Sequence, residues 1–332
     1  MGAVRITASA PTRIDLAGGT LDIWPLYLFH PGAQTLNAAI SLRAHVRIDP
    51  RDDDRVGLVS EDTSREVLLD PGDALRDDET LPLLGRLAHQ FGARGITLTT
   101  RAESPAGAGI AGSSALNIAV CGALNAWSRA FHAPDVLLDI ARDIEAQVIK
   151  VPTGVQDYRP ALFGGVSAIE LTAGAVRRVP LSVDPRELQA HLVLCYTGEP
   201  RNSGTNNWEI LKRHIDGDRH VFDCFERIRD TAAAMRDALE AGRWDVVSGH
   251  LADEWEHRKR LAPGVTTPVI DALVGRARAA GAEAAKICGA GGGGCLLVMA
   301  PPAALPAVRV ALAEGGARLL DFTIETDGLR VG

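Results

Sequence analysis

The spacing of apolar residues changes several times along this chain, and each change predicts a different element. The opening stretch VRITASAPTRIDLAGG mixes β-branched with small residues and reads as strand. So do the alternating segments AHVRID (44–49) and VGLVS (56–60). From Asp49 to Asp78 the chain is crowded with Asp, Arg and Pro, which predicts turns and an exposed hairpin. LPLLGRLAHQFG (81–92) predicts a helix that Gly92 ends, and ITLTTRAE (96–103) a strand. The period then lengthens. Leu116, Val120, Ala123, Leu124 and Trp127 fall on one helical face, and a second helix runs from Asp135 to Ile149. The Pro- and Gly-bounded loop VPTGVQDYRP follows, then FGGVSAIEL (163–171) as strand. In the second half, AHLVLCYTG (190–198) predicts a strand, and 218–241 and 243–261 two long helices. Two apolar strands then flank GAGGGG within 284–302, before a last helix and strand. Strands and helices mix without a βαβ rhythm, so the expected class is α+β. The polar stretch SVDPRE (182–187) places a boundary, giving domains 1–183 and 184–332.

Composition narrows the class. A chain of 332 residues has room for about two domains. The net charge of −7 argues against nucleic acid as the main partner. No apolar run approaches a membrane span, and the N-terminal residues lack the apolar core of a signal peptide, so a cytoplasmic protein is expected. The five cysteines, Cys121, Cys195, Cys224, Cys288 and Cys295, form no CxxC pair and read as free buried thiols. The nine histidines show no zinc-ligand spacing.

The candidate chemistry starts at SPAGAGIAGSSAL (104–116), where small residues precede a helix. Glycine admits a close guest, and a helix N-terminus offers free N–H groups and a positive dipole end, so the loop is read as a phosphate cradle. Gly107, Gly109 and Gly112 match GxGxxG, but no acidic residue stands between Ser113 and Pro134 for a ribose, which excludes a dinucleotide fold. The Walker lysine is absent, and so are the HRD and DFG of protein kinases.

Two further stretches complete a pattern. Ala10-Pro11-Thr12-Arg13-Ile14-Asp15-Leu16-Ala17-Gly18-Gly19-Thr20-Leu21-Asp22 stands near the N-terminus. Lys286-Ile287-Cys288-Gly289-Ala290-Gly291-Gly292-Gly293-Gly294-Cys295 stands near the C-terminus. With the serine loop between them, the chain resembles the GHMP kinase superfamily over nearly its whole length. APTRIDLAGGTLD, the segment from Gly154 to Tyr158 with Phe163-Gly164-Gly165, and Tyr196-Thr197-Gly198 are similar to the heptose 7-phosphate kinases and fucokinases. Two details differ. The serine loop carries one residue more than the usual GLGSS, as in glucuronokinase-like members, and GGTLD stands where the heptose kinases have GGGTD.

The resemblance implies a two-domain fold, with an N-terminal domain like domain 2 of ribosomal protein S5 and a ferredoxin-like C-terminal α/β sandwich. It implies ATP and Mg2+ as cofactors and a sugar or sugar phosphate as acceptor, phosphorylated at the anomeric hydroxyl. ATP would lie on Pro105, Gly107, Ala108, Gly109, Ala111, Gly112, Ser113 and Ser114, with magnesium on Glu145 and one of the two serines. Asp157 would act as base on the acceptor hydroxyl, and Arg13 would steady the transferring group. Gly19, Thr20, Asp22, Gly291, Gly292 and Arg201 would meet the acceptor, Arg201 through a phosphate. Two other readings remain: a kinase for a non-sugar alcohol, and a catalytically silent sugar sensor. A homodimer is compatible with this class, and no coiled-coil seam marks the chain.

Overall fold

The computed structural model describes residues 5–200 and 203–332, without the side chains of 203–206. Strand β1 (Ile6–Ala17) leads through a 3-10 turn at Leu26–Phe29 into the 17-residue β2 (Gln34–Pro50). The hairpin β3 (Val56–Ser60) and β4 (Arg65–Leu69) follows, then helices α1 (Asp73–Arg76) and α2 (Pro82–Gln90) and strand β5 (Ile96–Ala102). Next come α3 (Gly112–Ser128), α4 (Pro134–Ile149), α5 (Tyr158–Phe163), β6 (Val166–Leu171) and β7 (Val176–Pro180). Then follow α6 (Pro185–Gln189), β8 (Leu192–Tyr196), α7 (Ser203–Ile215), α8 (Arg219–Glu240), α9 (Trp244–Lys259) and α10 (Pro268–Ala279). The chain closes with β9 (Ala284–Ile287), β10 (Cys295–Met299), α11 (Leu305–Glu314), β11 (Arg318–Leu320) and β12 (Arg330–Val331).

Two sheets organise these elements, so the α+β reading holds. The larger runs β12-β1-β2-β5-β3-β4, with β6 and β7 branching from β2. The smaller is β11-β8-β10-β9 and is antiparallel throughout. The branch exists because β2 is long: Ala44–Pro50 pair with β5 while Gln34–Ala38 pair with β6. The β1/β2 register slips at Pro11/Thr12, where a proline without an N–H is tolerated, and again between Asp15 and Ala17. The first slip lies just before Arg13, the partner of the candidate base.

Helix α3 buries Ile118, Val120, Cys121 and Leu124 in a core shared with Val46, Ile48, Leu58 and Leu98 of the larger sheet. Each such side chain stabilises the fold by about 1.5–3 kcal/mol. A second core, with Ile14, Leu16, Leu36 and Ile40 against Leu194, Leu297, Met235 and Leu251, joins residues of both sheets to α8 and α9. The cleft described below lies where the two halves meet.

Four readings of the sequence change. Gln34–Arg43 belong to β2; both faces are buried there, so no alternation marks them. Phe163 closes α5, and Gly164 (φ +69°) and Gly165 (φ +73°) turn the chain before β6 begins at Val166. The polar run after Gly198, read as a loop to Asn207, becomes helical at Ser203. Finally, the segment after Leu320 leaves the smaller sheet: Ile324 bridges Ile40, and β12 pairs with β1. Gly328 lies against the Leu162 carbonyl, a place with no room for a Cβ.

Candidate active site

The loop from Ser104 to Gly112 is shaped by left-handed residues: Gly107 (φ +67°), Gly109 (φ +78°) and Ala111 (φ +62°). Ala111 is the N-cap of α3 and offers no side-chain cap, so neither serine serves as the cap. Ala115 N–H is the first to bond back, to Ala111 O. The N–H groups of Gly112, Ser113 and Ser114 therefore lack intrahelical partners, in a segment that lines a cleft of about 490 Å3. Such a row of donors at a positive dipole end binds phosphate oxygens.

The same cleft is lined by Arg13, Thr20, Asp22, Glu145, Gln156 and Asp157. Arg13, on β1, is 1% exposed. Its Nε and Nη2 both donate to Asp157 Oδ1, at 2.9 and 2.5 Å, and its Nη1 donates to the Gly109 carbonyl at 3.0 Å. One arginine thus ties the candidate base to the phosphate loop. Burial works against the guanidinium charge, but Asp157 and Asp15 outweigh it and hold the Arg13 pKa above its usual value.

Asp22 accepts the Gln156 N–H at 2.9 Å and the Gln156 amide at 3.2 Å. Burial, then the nearby charge of Asp157, pushes its carboxyl up to about 6. Glu145, on α4, accepts from the Ser114 hydroxyl at 3.2 Å and the Tyr158 hydroxyl at 2.6 Å, both on Oε2. Burial pushes its pKa up, against hydrogen bonds from Tyr158, Ser113 and Ser114. No arginine or lysine among the described residues pairs with it. A buried carboxylate beside a hydroxyl, with no countercharge, fits a hard cation that takes its other ligands from phosphate and water.

The structure thus brings Arg13, Thr20, Asp22, Glu145, Asp157 and the eight loop residues expected to meet ATP into one cleft. It does not bring Gly19, Gly291 or Gly292. Gly19 packs against the Arg258 guanidinium instead. Gly291 and Gly292 turn toward Val265, and Gly289 and Ala290 form the wall in their place. Arg201 lies outside the described residues.

Sequence reasoning missed a buried ionic network beneath the site. Lys286 Nζ lies 2.9 Å from Asp15 Oδ2 and 3.3 Å from Glu254 Oε2. Arg258 Nε donates to Glu254 Oε1 at 3.1 Å, and Gly289 N–H donates to Asp15 Oδ1 at 2.9 Å. Burial disfavours the Asp15 charge, yet Lys286, Arg13 and Arg258 hold its carboxyl well below the usual range. Asp15 and Lys286 sat in view inside the two end motifs. Glu254 and Arg258 offered only an i,i+4 pair on a helix, which reads as a solvated surface pair.

Free helical N–H groups, an arginine-held carboxylate and a buried acid–hydroxyl pair thus share one cleft, an arrangement suited to phosphoryl transfer. The sequence agrees: residues 80–165 match the GHMP kinases N terminal domain, and residues 235–318 the GHMP kinases C terminal model. The chain belongs to the GHMP kinases. It is 27% identical to the D-glycero-alpha-D-manno-heptose 7-phosphate kinase of Campylobacter jejuni, over 98% of each chain. It is also 27% identical to the L-fucokinase/L-fucose-1-P guanylyltransferase of Bacteroides fragilis, covering 97% of this chain and 38% of that protein. In fold it is similar to a D-glycero-D-manno-heptose 1-phosphate kinase from Bacteroides thetaiotaomicron, with a TM-score of 0.81 at 23% identity, covering 98% of both chains.

Proposed function

We propose that this chain transfers the γ-phosphoryl group of ATP to a hydroxyl of a sugar or sugar phosphate, the anomeric hydroxyl. The observation that carries this reading is the placement of Asp157 and the free N–H groups of Gly112–Ser114 on one cleft, joined through Arg13. A relative that shares nearly the whole chain length and is named as a heptose 7-phosphate kinase supports the acceptor class.

The phosphate loop binds the polyphosphate through its backbone, and the apolar wall of Leu116, Ile149, Val151 and Pro152 suits the base. Ser114 and Glu145 are the residues that would hold magnesium, Ser114 being the buried one of the two serines and lying with its hydroxyl 3.2 Å from Glu145 Oε2. That ion offsets charge on the phosphate oxygens when bound. Both bonds from Arg13 to Asp157 end on Oδ1, which leaves Oδ2 to accept the proton of the attacking hydroxyl. Arg13 stays charged throughout and stabilises negative charge that builds on the transferring group. Asp22 presents acceptor oxygens to neighbouring sugar hydroxyls and fixes the ring.

Asp157→Asn tests the roles. The expected result is ATP affinity within about twofold of wild type and a kcat lower by about 10²–10⁴-fold, the usual range for a lost general base. An Asp157→Asn protein that keeps wild-type kcat contradicts the assignment.

A further inference from the structure

We infer that Arg258 is a positioning residue for the acceptor, locking the turn that carries Asp22 to the glycine-rich loop of the smaller sheet without itself lining the cleft. This rests on the kinase reading above and goes beyond it, since nothing in the three motifs marks a residue of α9.

The guanidinium is 1% exposed and makes three directed bonds. Nε donates to Glu254 Oε1 at 3.1 Å, which fixes the head on its own helix. Nη1 donates to Thr20 Oγ1 at 3.1 Å and to the Gly289 carbonyl at 3.0 Å. Thr20 and Gly289 both line the cleft, one from each half of the molecule. Gly289 is held at both ends of its residue, because its N–H donates to Asp15. Thr20 stands at φ +72°, in the left-handed region that a β-branched residue rarely occupies. Such a conformation persists only where the surroundings over-determine it, and the bond to Arg258 is one determinant. Gly19 provides the space: a Cβ there would run into Arg258 Nη2. Two residues past Thr20 stands Asp22, so the angle of this turn sets where its carboxylate meets the acceptor. Lysine would keep the charge but has a single nitrogen, which cannot hold Glu254 through one atom while another reaches Thr20 and Gly289, as Nε and Nη1 of the guanidinium do.

The test compares wild type, Arg258→Lys, Thr20→Val and the double variant by ADP release, with Mg-ATP and the best acceptor from a sugar panel, together with melting temperature. Arg258→Lys is expected to raise the acceptor KM about tenfold, the scale of one lost buried hydrogen bond, with the ATP KM within about twofold. The double variant is expected to be little worse than the more severe single one, because both remove the same bond. If Arg258→Lys does not fold, Thr20→Val alone carries the test, with the acceptor KM raised and the ATP KM not. An unmoved acceptor KM, equal rises in both KM values, or fully additive effects would overturn the inference. A wild-type protein inactive on every acceptor defeats the kinase reading itself and this inference with it. An active wild type with an unmoved Arg258→Lys defeats this inference alone.

Discussion

Asp22 shows what a single residue costs the fold and gives the site. Its carboxyl sits at about 6 in the folded protein against an ordinary 3.8. Below about pH 4 it is protonated in both states and neutral to stability. Between those values the folded protein holds a proton that the unfolded chain releases, so this group's contribution falls as pH rises. Above about pH 6 the full penalty stands, on the order of 3 kcal/mol. Asp22→Asn is therefore expected to raise the melting temperature at pH 8 and to leave it unchanged near pH 4, while weakening acceptor binding. Melting curves at the two pH values check the first part, and the acceptor KM the second. In wild type, acceptor kcat/KM is expected to fall below about pH 6, as Asp22 loses an acceptor site. At this scale the sequence was readable where a motif gave a residue a chemical reason. Arg13, Asp22 and Asp157 each stood in such a pattern, whereas Glu145 was named only because the resemblance places a glutamate on that helix. Arg258 did not, because a pairing between a helix and a turn 238 positions away leaves no local trace.

The element that matters most is the pair of glycine loops. Cys295 N–H donates to the Ala108 carbonyl at 2.7 Å, so the strand leaving GAGGGG is hydrogen-bonded to the phosphate loop. Gly294 stands at φ +91°, and a Cβ there would lie 2.7 Å from that same carbonyl. Gly294→Ala must push the loops apart as well as strain its backbone. The expected cost is about 1–3 kcal/mol of stability, with a raised ATP KM, measured by denaturant unfolding and ADP release. Helix α8 was legible because one face is buried and the other wet, whereas α3 is buried on every side from Asn117 to Leu124 and was legible from its unbroken run of apolar and small residues. The first half of β2 was hidden by burial on both faces. The bend at Gly164 and Gly165 is imposed by the returning C-terminal segment, since Gly165 N–H bonds to Glu325 O and Gly164 packs on Thr326.

Across the whole molecule, the buried ions hold the halves in register. Lys286 on β9 reaches Asp15 on β1 and Glu254 on α9, all fully buried. Lys286→Met would leave two carboxylates short of their countercharge in the interior. We expect a loss of about 3–5 kcal/mol, seen as a large drop in melting temperature. An unchanged melting temperature would show that the network does not stabilise the fold. The return of β12 to β1 adds a second tie between the ends of the chain. Both features depend on contacts between distant segments, so neither could be read from local pattern.

The central claim is phosphoryl transfer to a sugar at the Asp157 cleft. The most direct measurement is ADP release from Mg-ATP with a panel of mannose, fucose, galactose, glucuronate, mannoheptose and mannoheptose 7-phosphate, alongside mevalonate and homoserine, with Asp157→Ala in parallel. The account predicts release that depends on one of the sugars, a product phosphorylated at the anomeric carbon, and loss of both in the variant. Release with mevalonate or homoserine only, or none from any acceptor while ATP still binds, would contradict it.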